Sequence, residues 1–273
     1  MNLPRSERFK AENVIIAGII PSLEKEPGLN PFLEKVVDEL QSVWQGLSVS
    51  NSLAPVTLKV VAALLCVAAD IPAARKACGF TSHAANKGCS KCQKKFLGGF
   101  GKQKDYSGFN REDWQHRTKY AHNRHSRKLE EVTSKKDYDK LSKQYGIYYS
   151  VLTNLDYFDS VRFHIIDPMH NLFLGIAKKT WKIWKETVFS KKQMVDIDKK
   201  VKDMNTSNDI GTVGSKISSN YGAFTAQEWK NWTNIHSMHA LFGILPENHS
   251  LVWETFVLAS RILCHLSLRK LRE

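Results

Sequence analysis

Cys89 and Cys92 stand in the run Gly88-Cys89-Ser90-Lys91-Cys92, the spacing at which two thiolates share one tetrahedral Zn²⁺. The chain has no second CxxC, so zinc would need ligands from elsewhere, and redox use of the pair stays open. His83 is nearby. His164 and His170 lie in His164-x-x-Asp167-x-x-His170. Zinc joining 89–92 to 164–170 would tether the ends of a charged, weakly cored stretch. Structural zinc contributes on the order of 10 kcal/mol, comparable to a domain's net stability of about 5–15 kcal/mol. Each histidine cluster also has a plainer reading. Asp167 precedes Pro168 and suits an N-cap, His170 could be a core histidine, and His236 and His239, beside Trp229 and Trp232, read as core or surface. Asp70 ends the apolar stretch Val56 to Ala69. A carboxylate there must reach solvent, pair, or bind a cation. At the carboxyl end of a central strand it would face the crevice where α/β folds place ligands; before Ile71-Pro72 it equally suits a helix N-cap.

The charge points to a polyanion. The chain of 273 residues carries +13, and 18 basic against 7 acidic residues fall between Arg75 and Gly146. Such a concentration suits nucleic acid, with Arg75, Lys76, Lys87, Lys91, Lys94 and Lys95 as the candidate contacts; a solvated lysine-rich surface is the alternative. Walker, GxGxxG and nucleophile-elbow motifs are absent from the sequence, which removes support for nucleotide binding and serine-hydrolase chemistry. Val60 to Ala69 is half a bilayer span, and the first residues lack a signal-peptide core. The expectation is a soluble, intracellular protein with no membrane partner.

The elements that must position these residues follow from periodicity. Val14 to Ile20 reads as a buried strand stopped by Pro21. Asn30 as N-cap and Pro31 in the first turn open an amphipathic helix over roughly 31–46. Val56 to Ala69 reads as a buried strand or a buried helix, and Val56, Thr57, Val60 and Val61 favour a strand at its start. Residues 97–145 read as loop and solvated helix rather than core, with Gly98 to Gly101 as a hinge and a charged helix after Trp114. Asp167-Pro168 starts a helix whose apolar side would be Met169, Leu172, Phe173, Ile176, Ile183, Trp184 and Val188. Thr225-Ala-Gln-Glu228 is a capping box. A last helix over about 250–271 would present Val252, Phe256, Ala259, Leu263 and Leu266, ending in Arg269, Lys270 and Arg272.

The pieces NLP (Asn2 to Pro4), VIIAGIIP (Val14 to Pro21), ALLCVAADIPAARKACGF (Ala63 to Phe80), KGCSKC (Lys87 to Cys92), DYSGF (Asp105 to Phe109), YFDSVRFHIIDPMHNLFLG (Tyr157 to Gly175) and GFTAQEWKNWT occur in an order that resembles the CACTA-type (En/Spm-like) DNA transposases. The resemblance covers essentially the whole chain; HIIDPMHN with the D…CxxC order is its most specific part. It implies a ribonuclease H-like DDE/D core in which carboxylates hold two Mg²⁺ or Mn²⁺ ions for in-line phosphoryl transfer. Asp70 matches the second acidic position, Cys89 and Cys92 the CxxC, Asp167 and His170 the D-x-x-H element, and His164 a neighbouring histidine. The first catalytic acid is expected upstream of NLP and the last past Glu273, with Glu254 as an in-chain candidate. The expected fold class is α/β, predominantly helical, with an incomplete ribonuclease H-like strand-helix-strand core, a CxxC zinc knuckle and a large helical insertion. Its parts would be 1–80 (partial core), 81–156 (basic insertion) and 157–273 (helical region). The expected function is a transposase core fragment in the nucleus, acting on DNA, able to homo-oligomerise and inactive alone. The alternative is a non-catalytic, zinc-stapled nucleic-acid-binding or interaction protein.

Overall fold

A computed structural model describes residues 3–21, 27–50, 57–98, 110, 112, 114–205 and 216–264. The expected hinge at Gly99 to Gly101, the DYSGF run and the basic end Arg269 to Arg272 lie outside the described residues. The chain divides into two compact units, Met1–Ile165 and Ile166–Glu273.

The first unit begins with a helical turn (Arg5–Arg8) and a 3-10 turn (Ala11–Asn13). Val14 to Ile20 forms neither helix nor strand and pairs with no strand among the described residues, and Ile15 and Ile19 are 81% and 83% exposed. The expected buried strand is therefore corrected. A β-branched run becomes a strand only when neighbouring strands take up its N–H and C=O groups, and among the described residues no strand lies beside it; the Val14 N–H turns back to Ala11 O. Helix α1 (Asn30–Gln45) matches the expected amphipathic helix, with Pro31 in its first turn and Val37 buried. Asn30 is its first residue rather than its cap. Its side-chain amide donates to Tyr149 O (3.1 Å) and accepts from Val151 N (3.3 Å), tying the helix start to a distant segment.

Strands β1 (Leu47–Ser50) and β2 (Thr57–Val60) form an antiparallel hairpin with Leu47 opposite Val60 and Ser50 opposite Thr57. The strand at the start of the second apolar run is as expected, but it is exposed, and the run beyond it is irregular and largely exposed too. Its one ladder contact is a parallel bridge. Val67 N donates to Phe163 O (3.0 Å), and Val67 O accepts from Ile165 N (3.1 Å).

Helix α2 (Ile71–Ala77) follows. Helix α3 (Lys119–Glu130) is capped by Thr118, and α4 (Lys135–Tyr145) is capped by Ser134 and ended by Gly146 at φ 71°. Gly146 cannot be replaced without strain. Its conformation is left-handed, and an added Cβ would lie 2.5 Å from Lys87 O. The expectation of a merely solvated helix after Trp114 is also corrected, because α3 buries His122, Ser126 and Leu129 at i, i+4, i+7 spacing. Those residues join a core with Phe80, Ile147, Val151, Leu152, Leu155, Phe158 and Val161.

The second unit is all helix among its described residues. Met169–Ala177 is π-helical and runs into α5 (Lys178–Thr187). Helix α6 (Lys191–Lys202) opens with a Ser190/Gln193 capping box, and α7 (Ala226–Asn231) with the expected Thr225/Glu228 box. A π-helical turn (Trp232–His236), a short helix (Ser237–Leu241) and α8 (Glu247–Cys264) complete it. Five tryptophans, Trp181, Trp184, Trp229, Trp232 and Trp253, carry the core. Their rings meet edge-to-face, 5.3 Å between Trp181 and Trp232 and 5.1 Å between Trp184 and Trp253, the arrangement that the ring quadrupole favours.

Two apolar faces differ from the periodicity. Phe173 and Trp184 are buried as expected, but Ile176 and Ile183 are exposed and Trp181 is buried in their place. The i→i+5 bonding of 169–177 shifts the phase of the stripe that follows. In α8 the buried residues are Trp253, Val257 and Ser260, not Val252 and Leu263. That helix is apolar nearly all round, and Trp253, whose indole N–H donates to Ser237 Oγ at 2.9 Å, selects the inward face. His236 is buried and His239 exposed, as core and surface.

Candidate functional site

Asp70 is exposed, and its Oδ1 accepts the Ala73 N–H at 2.8 Å, so the N-cap reading describes its geometry. It follows an irregular segment rather than a central strand. Among the described residues, no three His, Cys, Asp or Glu side chains converge closely enough to hold a metal ion. Glu254 lies on α8 and accepts from Ser250 Oγ within its own helix.

The cysteine loop has more structure. Cys89 Sγ accepts two backbone N–H groups, from Lys91 and Cys92, both at 3.3 Å, so the turn is already wrapped around one sulfur. Residues 91–93 run antiparallel to 115–117. Gln93 N donates to Gln115 O at 2.8 Å and Arg117 N to Lys91 O at 2.9 Å, which sets His116 opposite Cys92. Cys89, Cys92, His116, Lys91 and Trp114 line a cavity of about 400 Å³. Burial pushes the Cys92 thiol up, against the pull of the Lys94 backbone N–H and the Arg117 guanidinium.

Two arginines hold this loop by its carbonyls, and its own Lys91 reaches out to the carbonyls of a later segment. Arg117, 9% exposed, donates from Nε to Cys89 O (2.8 Å) and Cys92 O (3.1 Å), and from its two terminal nitrogens to Tyr145 O (3.0 Å) and Lys87 O (3.1 Å). Buried Arg75 donates to Thr81 O and Gly88 O. Lys91 Nζ reaches Val161 O and, at 2.9 Å, His164 O. Residues 81–97 have few ladder partners for their carbonyls, and buried carbonyls require donors; the guanidinium fork supplies several at once.

His164 is buried, with neither ring nitrogen finding a partner among the described residues, beside Phe80 at 5.5 Å between ring centroids. Burial, then the charges of Lys91 and Arg75, push its pKa down to about 4. The sequence placed His164 with the knuckle, and the structure links the two through Lys91. Asp167 and His170 belong to the second unit. His170 Nδ1 bonds Asp167 Oδ2, and Asp167 Oδ1 accepts from Met169 N at 3.0 Å. Burial raises the Asp167 carboxyl, but His170 and the Met169 N–H outweigh it and hold the group below the usual carboxylate range. A carboxylate orienting an imidazole is an arrangement that metal-binding histidines share.

Of the candidate phosphate contacts, Arg75 and Lys91 are engaged as above, and Lys76 Nζ donates to Pro27 O. Lys94 lies over the Phe96 and Trp114 rings. Lys87 is partly buried, and desolvation, then Arg117 and Lys95, lower its pKa; Lys95 is exposed. Sequence reasoning missed Arg117, His116 and Trp114. No local spacing marks them; only the pairing of 91–93 with 115–117 brings them to the knuckle.

No curated protein and no solved structure matches the chain. The order of Asp70, the cysteine loop and the basic helices falls within a family model described as transposase family tnp2, which matches residues 1–145. The chain belongs to the tnp2 transposase family.

Proposed function

We propose that this protein is a CACTA-type transposase protein that binds DNA in the nucleus, with a zinc-bound CxxC loop and Asp70 as its one motif-matched catalytic acid. The tnp2 match over residues 1–145 carries this reading, and the HIIDPMHN run with the D…CxxC order supports the subtype. A ribonuclease H-like core is the fold this family reading brings with it.

Two sulfurs in a turn with N–H···S bonds are a donor set that suits zinc, and the ring of His164, without a partner among the described residues, adds an imidazole in the same unit. His170 is the further imidazole that the resemblance assigns. Bound there, Zn²⁺ supplies a structural crosslink. The chain's own residues prepare the loop, because Arg117 and Lys91 place positive charge where thiolates would form. Purified protein is expected to carry about one zinc per chain, lost when Cys89 and Cys92 are both changed to Ser; metal analysis without zinc overturns this part.

Two divalent metals need several carboxylates about 4 Å apart. Among the described residues Asp70 belongs to no group of three or more His, Cys, Asp or Glu able to hold a metal ion, so they do not fit that centre, and no cleavage step is derived through it. The Asp70 carboxylate, committed to the Ala73 N–H, favours the second reading, in which this chain binds DNA without cutting it. The test compares nicking of supercoiled DNA with Mn²⁺ by the chain and by Asp70→Asn, which keeps the cap and removes the charge. The expected result is DNA retained and uncut by both. Robust cleavage lost in Asp70→Asn would restore Asp70 as a catalytic residue.

A further inference from the structure

Of the cations between Arg75 and Gly146, the ones held by carbonyls face inward, and a different set is left facing out. On α3, His122, Ser126 and Leu129 point into the core, and the opposite side carries Lys119, Tyr120, Arg124, Arg127 and Lys128. With Glu131 these residues border a depression of about 620 Å³. Arg124, Arg127 and Lys128 are exposed, and none bonds or pairs with an acid among the described residues. Arg124 and Lys128 are one turn apart, about 6 Å along the axis. Tyr120 is 76% exposed beside them, an aromatic surface left in water. The local field is positive, since burial and then the charges of Arg124 and Lys128 hold His125 below the usual histidine range.

We propose that the outer face of α3, through Arg124, Arg127 and Lys128, is the surface on which this protein holds the phosphate backbone of duplex DNA. The inference rests on the DNA-binding reading above and moves its contact surface from the cysteine-loop cations to α3. Charge complementarity selects the occupant. Three unpaired cations within little more than one helical turn, with one carboxylate at the end, match a row of phosphates and would repel a basic partner. Helix α4 supplies the internal comparison: Lys135, Lys136 and Lys140 are also exposed, but Asp137 and Asp139 interrupt them.

The experiment titrates the full chain against a fluorescent duplex of about 30 base pairs over a range of KCl. It includes two triple variants, Arg124→Gln/Arg127→Gln/Lys128→Gln on α3 and Lys135→Gln/Lys136→Gln/Lys140→Gln on α4. Both remove three charges from exposed positions and keep good helix formers, and circular dichroism confirms that each folds. Each phosphate contact contributes about −0.9 to the slope of log affinity against log salt. The α3 triple is expected to flatten the slope by up to about 2.7 and to weaken binding about 10- to 100-fold at 0.1 M salt, with the α4 triple near the parent. If the parent binds and the α3 triple stays within about twofold of it, or both triples lose equally, this assignment falls while the DNA reading stands. If the parent chain does not bind duplex at all, both fall.

Discussion

The two units solve the same problem with different chemistry. The second closes over a tryptophan cluster that needs few polar contacts. The first has long stretches without ladder hydrogen bonds, and buried cations hold those stretches by their carbonyls. Arg117 alone joins the cysteine loop at 87–92 to the end of α4 at 145–146. A basic composition therefore does not equal a basic surface. Part of the positive charge in the first unit is an internal fastening, and only the remainder is available to a polyanion.

The contrast can be broken in four ways. The largest effect is expected from Trp232→Ala, about 3–5 kcal/mol, confined to the second unit. Hydrogen exchange resolved by peptide should show lost protection in 166–264 and none in 27–165; losses in both would join what the contrast separates. Next is Arg117→Met, about 3 kcal/mol, because several buried carbonyls lose a charged donor together. Arg117→Lys should not restore it, since one ammonium lacks the fork that reaches them. Full recovery with lysine would reduce Arg117 to a simple charge.

Acid sharpens the comparison further. Burial, then the Arg117 charge, push the His122 pKa down to about 4, against the pull of Asp159. The unfolded chain, near 6.5, therefore binds this proton more readily than the folded one. The stability this group contributes is full above about pH 6.5 and declines as pH falls toward 4, by about 3 kcal/mol. His164, also held at about 4, adds a like dependence in the same unit, so His122→Gln should remove about half of the pH dependence between 6.5 and 4, as read by urea midpoints at each pH. The smallest effect separates two roles of one carboxylate. Asp70→Ala should cost about 1 kcal/mol through the lost cap, and Asp70→Asn close to none. Equal losses in the two would mean that the charge, not the cap, is what α2 uses.

What could be read in advance divides along the same line. Helix α1 and the Thr225 box declare themselves by short-range spacing; the box stands as read, and α1 does apart from its cap, since Asn30 is already helical. The stripe after Asp167 slips because a π-helical segment carries no mark in periodicity, and α8 presents the wrong face because nearly every face of it is apolar. Val14 to Ile20 has a strand's composition, but strand formation belongs to the neighbours as much as to the run. At the site, the CxxC turn is legible from its spacing. The grip of Arg117 is not, because its acceptors lie 25 and 28 residues away on either side and are backbone atoms that any sequence would offer.

The family match ends at residue 145, yet the first unit does not. Ile147, Val151, Leu152, Leu155, Phe158 and Val161 fill its core from the segment beyond. During synthesis, then, the ribosome must release the chain past about 165 before this unit can close. Until that moment α3 and the cysteine loop are displayed without the side chains they fold around, and an emerging chain is most exposed to chaperones and proteases in that interval.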